Sequence, residues 1–245
     1  MAMVTTIPTS MRNNMIDIHA HILPGVDDGA KTMEQSIVLL KKAIEQGTTH
    51  QILSPHVQSS VSKVMPEHFL EIFEALKEEV KRLELSIKIY LGAEINYRSH
   101  LSPDYQMLSL NQSKYVLVEF SPRIESPIED VIFDITRMGF IPIIAHVERY
   151  VYLDYSDYAR LKSIGALLQV NSGALMGLND KVQKKLSLKL LKDGLIDIIA
   201  TDTHNIEKRP PNLKDCYNYL KGMVSDDYLE ALFYKNAEPI IMGHE

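Results

Sequence analysis

Residues 15–31 read MIDIHAHILPGVDDGAK. A short apolar run, Met15–Ile18, ends in His19-Ala20-His21, and an Asp-Asp-Gly turn follows at Asp27, Asp28 and Gly29. Side chains alternate along extended backbone, so both imidazoles of the His-x-His lie on one side and can chelate one ion. Taken alone, the pair reads more readily as surface histidines, and Asp-Gly is a common turn pair. Recurrence decides the matter. His56 follows the strand-like run Gln51–Ser54, and Glu94 follows Ile87–Gly92. Glu119 follows Tyr115–Val118, His146 follows Phe140–Ala145, and Asp202-Thr203-His204 follows Ile196–Ala200.

Helical patterns fill the gaps between these runs. Thr32 with Gln35 forms a capping-box signature, and Gly47 stands where a helix ends. Phe69, Phe73, Leu76, Val80 and Leu83 recur at helical spacing within Pro66–Leu85. Ser126-Pro127-Ile128-Glu129 reads as an N-cap, a proline at the first helical position and an N3 glutamate, opening a helix that stops near Gly139. Further helices are expected near Tyr155–Ile164, Asp180–Asp193, Leu213–Met223 and Asp226–Lys235, with a strand at Ala166–Val170. The polar stretch Asn96–Lys114 interrupts the alternation and reads as loop.

Strands alternating with helices predict an α/β fold with a parallel sheet and helices outside it. About seven such units suit a barrel better than an open sheet. In a β/α barrel the C-terminal strand ends converge on one mouth, so residues distant in sequence meet there. The candidates are then His19, His21, Asp28, His56, Glu94, Glu119, His146, Asp202 and His204. Each has an ordinary reading alone: His56 as a loop or core histidine, Glu94 and Glu119 as solvated carboxylates. Their joint occurrence at strand ends favours a metal centre. Of Asp27 and Asp28, the latter is taken as the ligand. His50, His68, His100 and His244 lie away from strand ends and are assigned no role.

Composition narrows the function. Hydrophobic residues make up 45% of the 245-residue chain and the net charge is −6, so no basic face for nucleic acid is indicated. No apolar run approaches the roughly 20 residues of a membrane span, so no membrane insertion is expected. One cysteine, Cys216, permits no intrachain disulfide and suits a reducing, cytoplasmic setting. Residues 1–14 are polar and are expected to be a disordered or artificially added leader, with one domain over residues 15–245. Oligomeric state is left open.

The segments MIDIHAHILPGVDDGAK, SPHV, GAEINY, AHVERY and TDTHN together resemble the PHP superfamily, and more closely its bacterial protein-tyrosine phosphatases of the capsular and exopolysaccharide type. The resemblance runs from Met15 to the end of the chain. It implies a distorted (β/α)7 barrel, the PHP fold, holding three divalent metal ions at the C-terminal strand ends. Manganese is common there, and iron or zinc suits the same nitrogen and oxygen donors. By position, one ion would use His19, His21, Glu94 and Asp202, and a second Asp28, His56 and His204. A third would use Glu119, His146 and a bridging Glu94. Superfamily members often carry histidine where Glu119 stands.

Three such ions outweigh four carboxylates by about two charges, which attracts a phosphate dianion and generates a metal-bound hydroxide as nucleophile. Arg149 and Arg209 sit beside ligand motifs and can grip phosphate oxygens bidentately, though each alone is as readily a surface arginine. Asp28 is counted with these two arginines among the catalytic residues. The residue six after Cys216 is Gly222, so the Cys-x5-Arg pattern of thiol-dependent tyrosine phosphatases is missing. The implied substrate is a phosphotyrosine protein, a membrane-associated tyrosine autokinase that controls surface-polysaccharide synthesis. Asn96–Lys114 and Ser121–Ser126 are the expected substrate-selecting loops. Two alternatives stay open, a small-molecule phosphatase of the histidinol-phosphate type and a non-catalytic metal-binding regulator.

Overall fold

The structure, a computed structural model, describes residues 14–178 and 180–242. The expected leader falls outside these residues except for Asn14, whose side chain accepts a hydrogen bond from the Thr49 hydroxyl at 2.7 Å. His244 also lies outside them.

Strands β1 (Met15–Asp17), β2 (Thr48–Leu53) and β4 (Lys88–Leu91) form one sheet in the order β1-β2-β4. Strands β3 (His56–Val57), β5 (Glu94–Asn96), β6 (Tyr115–Glu119), β7 (Ile141–Ile144), β8 (Leu167–Asn171) and β9 (Ile198–Ala200) form a second, neighbouring in that order. Every pairing between them is parallel. The ladder breaks at Ser54-Pro55 and at Gly92-Ala93, so His56 and Glu94 open new strands rather than trail old ones. Pro55 has no N–H to continue a ladder. At Gly92 an added Cβ would lie 2.6 Å from the Leu110 side chain. Bonds from Gly92 N to Leu53 O (2.9 Å) and from Glu94 N to Pro55 O (3.0 Å) carry the pairing across the breaks.

The far edges of the two sheets also meet. Ala20 and Thr203 form an isolated parallel bridge. His21 N donates to Thr203 O at 2.7 Å, and Asp202 N to His19 O at 2.9 Å. The result is a mixed α/β fold with a curled parallel sheet.

Helices cover the outside. α1 (Met33–Glu45) is capped by Thr32, which accepts from Gln35 N, while the Gln35 side chain accepts from Lys31 N at 2.8 Å. α2 (Phe69–Arg82) buries Phe69, Phe73, Leu76 and Val80, the stripe read from the sequence. α4 (Ile128–Arg137) buries Ile128, Val131, Ile132 and Ile135. Ser126 does not cap it; its hydroxyl turns back to Ile124 O, and Pro127 holds the cap position without a side-chain bond. Asn96–Lys114 is not all loop: α3 (Tyr105–Leu108), capped by Asp104, and a 3-10 turn at Leu110–Gln112 bury Leu108 and Leu110. α5 (Tyr155–Ser163), α7 (Lys181–Lys192) and α8 (Leu213–Leu220) match expectation within a few residues. The expected Asp226–Lys235 helix divides into α9 (Asp226–Glu230) and a π turn. Two short helices, α6 (Ser172–Met176) and α10 (Glu238–Met242), were not anticipated.

Inside the curl, one set of side chains changes character along its length. Ile16, Ile18, Ile52, Leu117, Ile143, Ala145, Ile198 and Ala200 form an apolar inner core, sealed at its lower end by Leu110, Ala237 and Ile240. Two residues further on, the same inward rows become polar: Leu117 gives way to Glu119, Leu167 to Gln169 and Asn171, Ala200 to Asp202 and His204. The period of two along a strand thus places oil at the bottom and ligand chemistry at the top.

Candidate metal centre

All nine expected side chains meet at the upper end of the curl. His19 Nε2 lies 3.3 Å from His21 Nε2, 3.3 Å from Glu94 Oε1 and 3.6 Å from Asp202 Oδ1. His21 Nε2 lies 3.3 Å from Glu94 Oε2 and 3.4 Å from Asp202 Oδ1. His146 Nε2 is 2.9 Å from Glu94 and 3.7 Å from Glu119. His204 is 3.3 Å from Asp28 and 3.4 Å from Asp202. His56 touches three carboxylates, Glu94 at 2.9 Å, Glu119 at 3.3 Å and Asp28 at 3.7 Å.

Three overlapping groups have ligand atoms within 4.8 Å of one another: His19, His21 and Glu94; His21, Asp28, His56 and His204; His56, Glu94 and Glu119. Compared with the sets expected from sequence, His21 also faces the second set, and His56 lies closer to Glu94 and Glu119 than to Asp28. Two candidates have unusual backbone: His146 has φ 33° and Asp202 φ 53°. A left-handed conformation at a non-glycine residue costs about 1–3 kcal/mol and clusters at functional sites. At His146 it turns the ring inward after β7, where Ala145 already faces in.

The donor set fits cations. Asp28 Oδ1, His56 Nδ1, Glu94 Oε2, His146 Nδ1 and His204 Nε2 are buried without a hydrogen-bond partner. His56 Nδ1 and Glu94 Oε2 approach to 2.9 Å yet make no hydrogen bond. Buried polar atoms in this condition are costly unless something bridges them. Nitrogen and carboxylate donors without sulfur suit manganese, iron or zinc.

The electrostatics agree. Burial alone would raise Glu94, but His19 and His56 hold its carboxyl well below the ordinary range. Burial likewise opposes Asp202, which Arg149 and His19 keep ionised. Burial works against the charged form of His56, yet Glu94 carries it up to about 10. His204 goes the other way, to about 4, through burial and the neighbouring His21.

A supporting layer fixes these groups. Asp27, passed over in favour of Asp28 as a ligand in the sequence, is fully buried. Its Oδ2 accepts from His21 Nδ1 at 2.7 Å and His56 N at 3.0 Å, and its Oδ1 from Gly29 N at 2.9 Å. The bond to Nδ1 leaves Nε2 of His21 free to coordinate. β8 supplies no candidate ligand, but Gln169 Oε1 pairs with His19 Nδ1 (3.1 Å) and accepts from His146 N (2.8 Å). Gln169 Nε2 donates to Asn171 Oδ1, and Asn171 Nδ2 donates to Asp202 Oδ2 at 2.9 Å. Asp17 accepts from Thr201 N, Thr201 Oγ1 and His19 N, tying β1 to β9 beneath the site. Sequence reading missed these four. The available signal was a polar i, i+2 pair, Gln169 and Asn171, at a strand end where other strands carry ligands.

Both arginines converge on the centre. Arg149 Nη2 lies 2.5 Å from Asp202 Oδ2. Arg209 Nη1 lies 3.3 Å from the same oxygen, and its Nη2 is 3.7 Å from Asp28. His19, His21 and Glu94 are wholly buried, whereas Asp28 (39% exposed) and Arg209 (32%) reach solvent, so the centre opens on that side. Cys216 lies on α8, fully buried, with burial pushing its thiol far up.

Fold and site together define an α/β protein with a multi-histidine, multi-carboxylate candidate metal centre at the C-terminal end of a curled parallel sheet. The capsular polysaccharide synthesis family CpsB/CapC matches residues 15–242, and the chain belongs to that family. It is 30% identical over 242 residues to the tyrosine-protein phosphatase CpsB of Streptococcus agalactiae, covering 94% of this chain and 99% of that one. It is 33% identical over 233 residues to the tyrosine-protein phosphatase YwqE of Bacillus subtilis, covering 93% and 91%. A chain from the crystal structures of YwqE from Bacillus subtilis and CpsB from Streptococcus pneumoniae, described as metal-dependent tyrosine phosphatases, superposes with a TM-score of 0.81. It shares 32% identity and covers 89% of this chain and 91% of its own length. Among the described residues no helix is long and apolar enough to cross a membrane.

Proposed function

We propose that the chain is a metal-dependent protein-tyrosine phosphatase acting in capsular or exopolysaccharide synthesis. Its substrate in this reading is a membrane-associated tyrosine autokinase, met in the cytoplasm. The observation that carries the reading is the convergence of nine histidine and carboxylate side chains, several with unmatched buried donor atoms, with two arginines on one oxygen of Asp202. The names of the relatives support the same activity.

Three ions are proposed, manganese first, with iron or zinc fitting the same donors. His19, His21, Glu94 and Asp202 would hold one; Asp28, His56 and His204 the second; Glu94, Glu119 and His146 the third. Bound there, divalent ions would neutralise phosphate charge and make water a nucleophile near neutral pH. The chain's own residues do the rest. Arg209 and Arg149 grip the phosphoryl oxygens, and Asp28 stands between Arg209 and His204 at the open side. A phenolate of pKa about 10 leaves readily, so no strong general acid is needed. Cys216 takes no part.

We read the curled sheet as a distorted (β/α)7 barrel and propose one domain over residues 15–245. Counting β2 with β3 and β4 with β5 as two interrupted strands gives the seven staves, and the Ala20–Thr203 bridge joins last to first. The test compares a phosphotyrosine peptide with histidinol phosphate, with manganese present, alongside elemental analysis. Hydrolysis of the peptide with metal in the protein supports the proposal. Turnover that survives exhaustive chelation, or preference for histidinol phosphate, sinks it.

A further inference from the structure

We infer that the groove beside Asp28 and His204 is a subsite for an apolar side chain adjacent to the phosphotyrosine of a peptide substrate, an inference resting on the phosphatase reading above. The groove has a volume of about 590 Å³. One wall is a face of α1, where Glu34 and Val38 stand one turn apart above the buried Leu39. The other is the loop after β9, carrying Ile206 and Lys208.

Three observations point to this occupant. First, Asp28 and His204 line both the groove and the metal centre, so a peptide with its phosphoryl group at Arg209 continues into the groove. Second, Val38 (45% exposed) and Ile206 (47%) line it from its two walls, with Leu39 as floor. Single exposed apolar residues are ordinary, but a concave apolar surface joined to a reactive centre is the usual form of a ligand site. Third, each wall carries one cation and one anion: Lys31 and Glu34 on the α1 side, Lys208 and Glu207 on the loop. With Asp28 added the lining carries one net negative charge, so a second anionic group is disfavoured and an uncharged side chain can fill the apolar part formed by Val38, Leu39 and Ile206. The larger groove of about 770 Å³ between α2 and β4 shares no residue with the centre.

The test measures kcat/KM of the manganese-loaded full chain on free phosphotyrosine and on three otherwise identical peptides. These carry Ser-pTyr-Ser, Leu-pTyr-Ser or Ser-pTyr-Leu. At least one leucine peptide should exceed the serine peptide about tenfold, the gain that partial burial of one leucine supplies (about 1.4 kcal/mol). Val38→Asp and Ile206→Asp should each abolish that preference. Leu70→Asp, an exposed change on the larger groove, should retain it. Equal rates on all three peptides in the unaltered chain overturn the inference, as does a preference that survives both groove substitutions. Failure to hydrolyse any phosphotyrosine compound would instead overturn the phosphatase reading and take the subsite with it.

Discussion

Replacing Asp27 with asparagine should weaken metal binding without removing a candidate ligand. Asp27 accepts three hydrogen bonds, from His21 Nδ1, His56 N and Gly29 N. Burial pushes its carboxyl upward, but His21 and these donors hold it well below the usual range, so it is a carboxylate in the folded chain. Asparagine offers one oxygen and one amide. With oxygen toward His21, the amide faces the Gly29 N–H, donor against donor. With the amide toward His21, Nδ1 must become an acceptor. The imidazole proton then moves to Nε2, the atom that faces Glu94 and Asp202. Either way one hydrogen bond to a charged group is lost, worth about 1.5–3 kcal/mol. Loss of such supporting partners typically costs about 10–100-fold in metal affinity. Titration calorimetry of manganese into chelator-stripped protein measures this directly, with circular dichroism as the folding control. Affinity within twofold of the unaltered chain would refute the argument that Asp27 sets the His21 tautomer.

Gln169→Leu should lower both stability and metal affinity, because His19 Nδ1 and His146 N lose their common acceptor; about 1–3 kcal/mol per stranded donor is expected in denaturant unfolding. Gly29→Ala should prevent stable folding or cut Tm sharply, since the new Cβ would sit 2.0 Å from the His21 carbonyl oxygen; a Tm within a few degrees of the parent would contradict the close packing. Cys216→Ala should retain phosphotyrosine turnover, and native Cys216 should resist thiol reagents until the chain unfolds, read by absorbance at neutral pH. Arg209→Ala should raise KM for a phosphotyrosine peptide roughly tenfold or more while the metal content by elemental analysis stays unchanged, as expected of a group that holds phosphate rather than metal.

Much of this was legible in the sequence because the fold puts one ligand-type residue near each of several strand ends. The α2 stripe from Phe69 to Val80 and the Thr32–Gln35 cap could be read from local chemistry alone. The breaks between β2 and β3 and between β4 and β5 could not, since strand continuity depends on what the neighbour offers. Asp27 and Asp28 look interchangeable in sequence. Only the packing of Gly29 against His21 sends one inward to an imidazole and leaves the other 39% exposed at the rim. The seal by Ala237 and Ile240 depends on a long-range return of the C-terminus that no local pattern signals.

The amide pair on β8 bears on the charge around such a centre. Gln169 and Asn171 press on His19 and Asp202 but lend no electrons to a cation themselves, and they are neutral at every pH. Exchanging Gln169 for glutamate would keep the oxygen shared by His19 Nδ1 and His146 N and add a negative charge beside them, whereas exchanging Asn171 for aspartate would remove the donor to Asp202 and set two carboxylates together. One stave of the curl thus sets the charge and hydrogen bonding around the candidate ligands without supplying one of them.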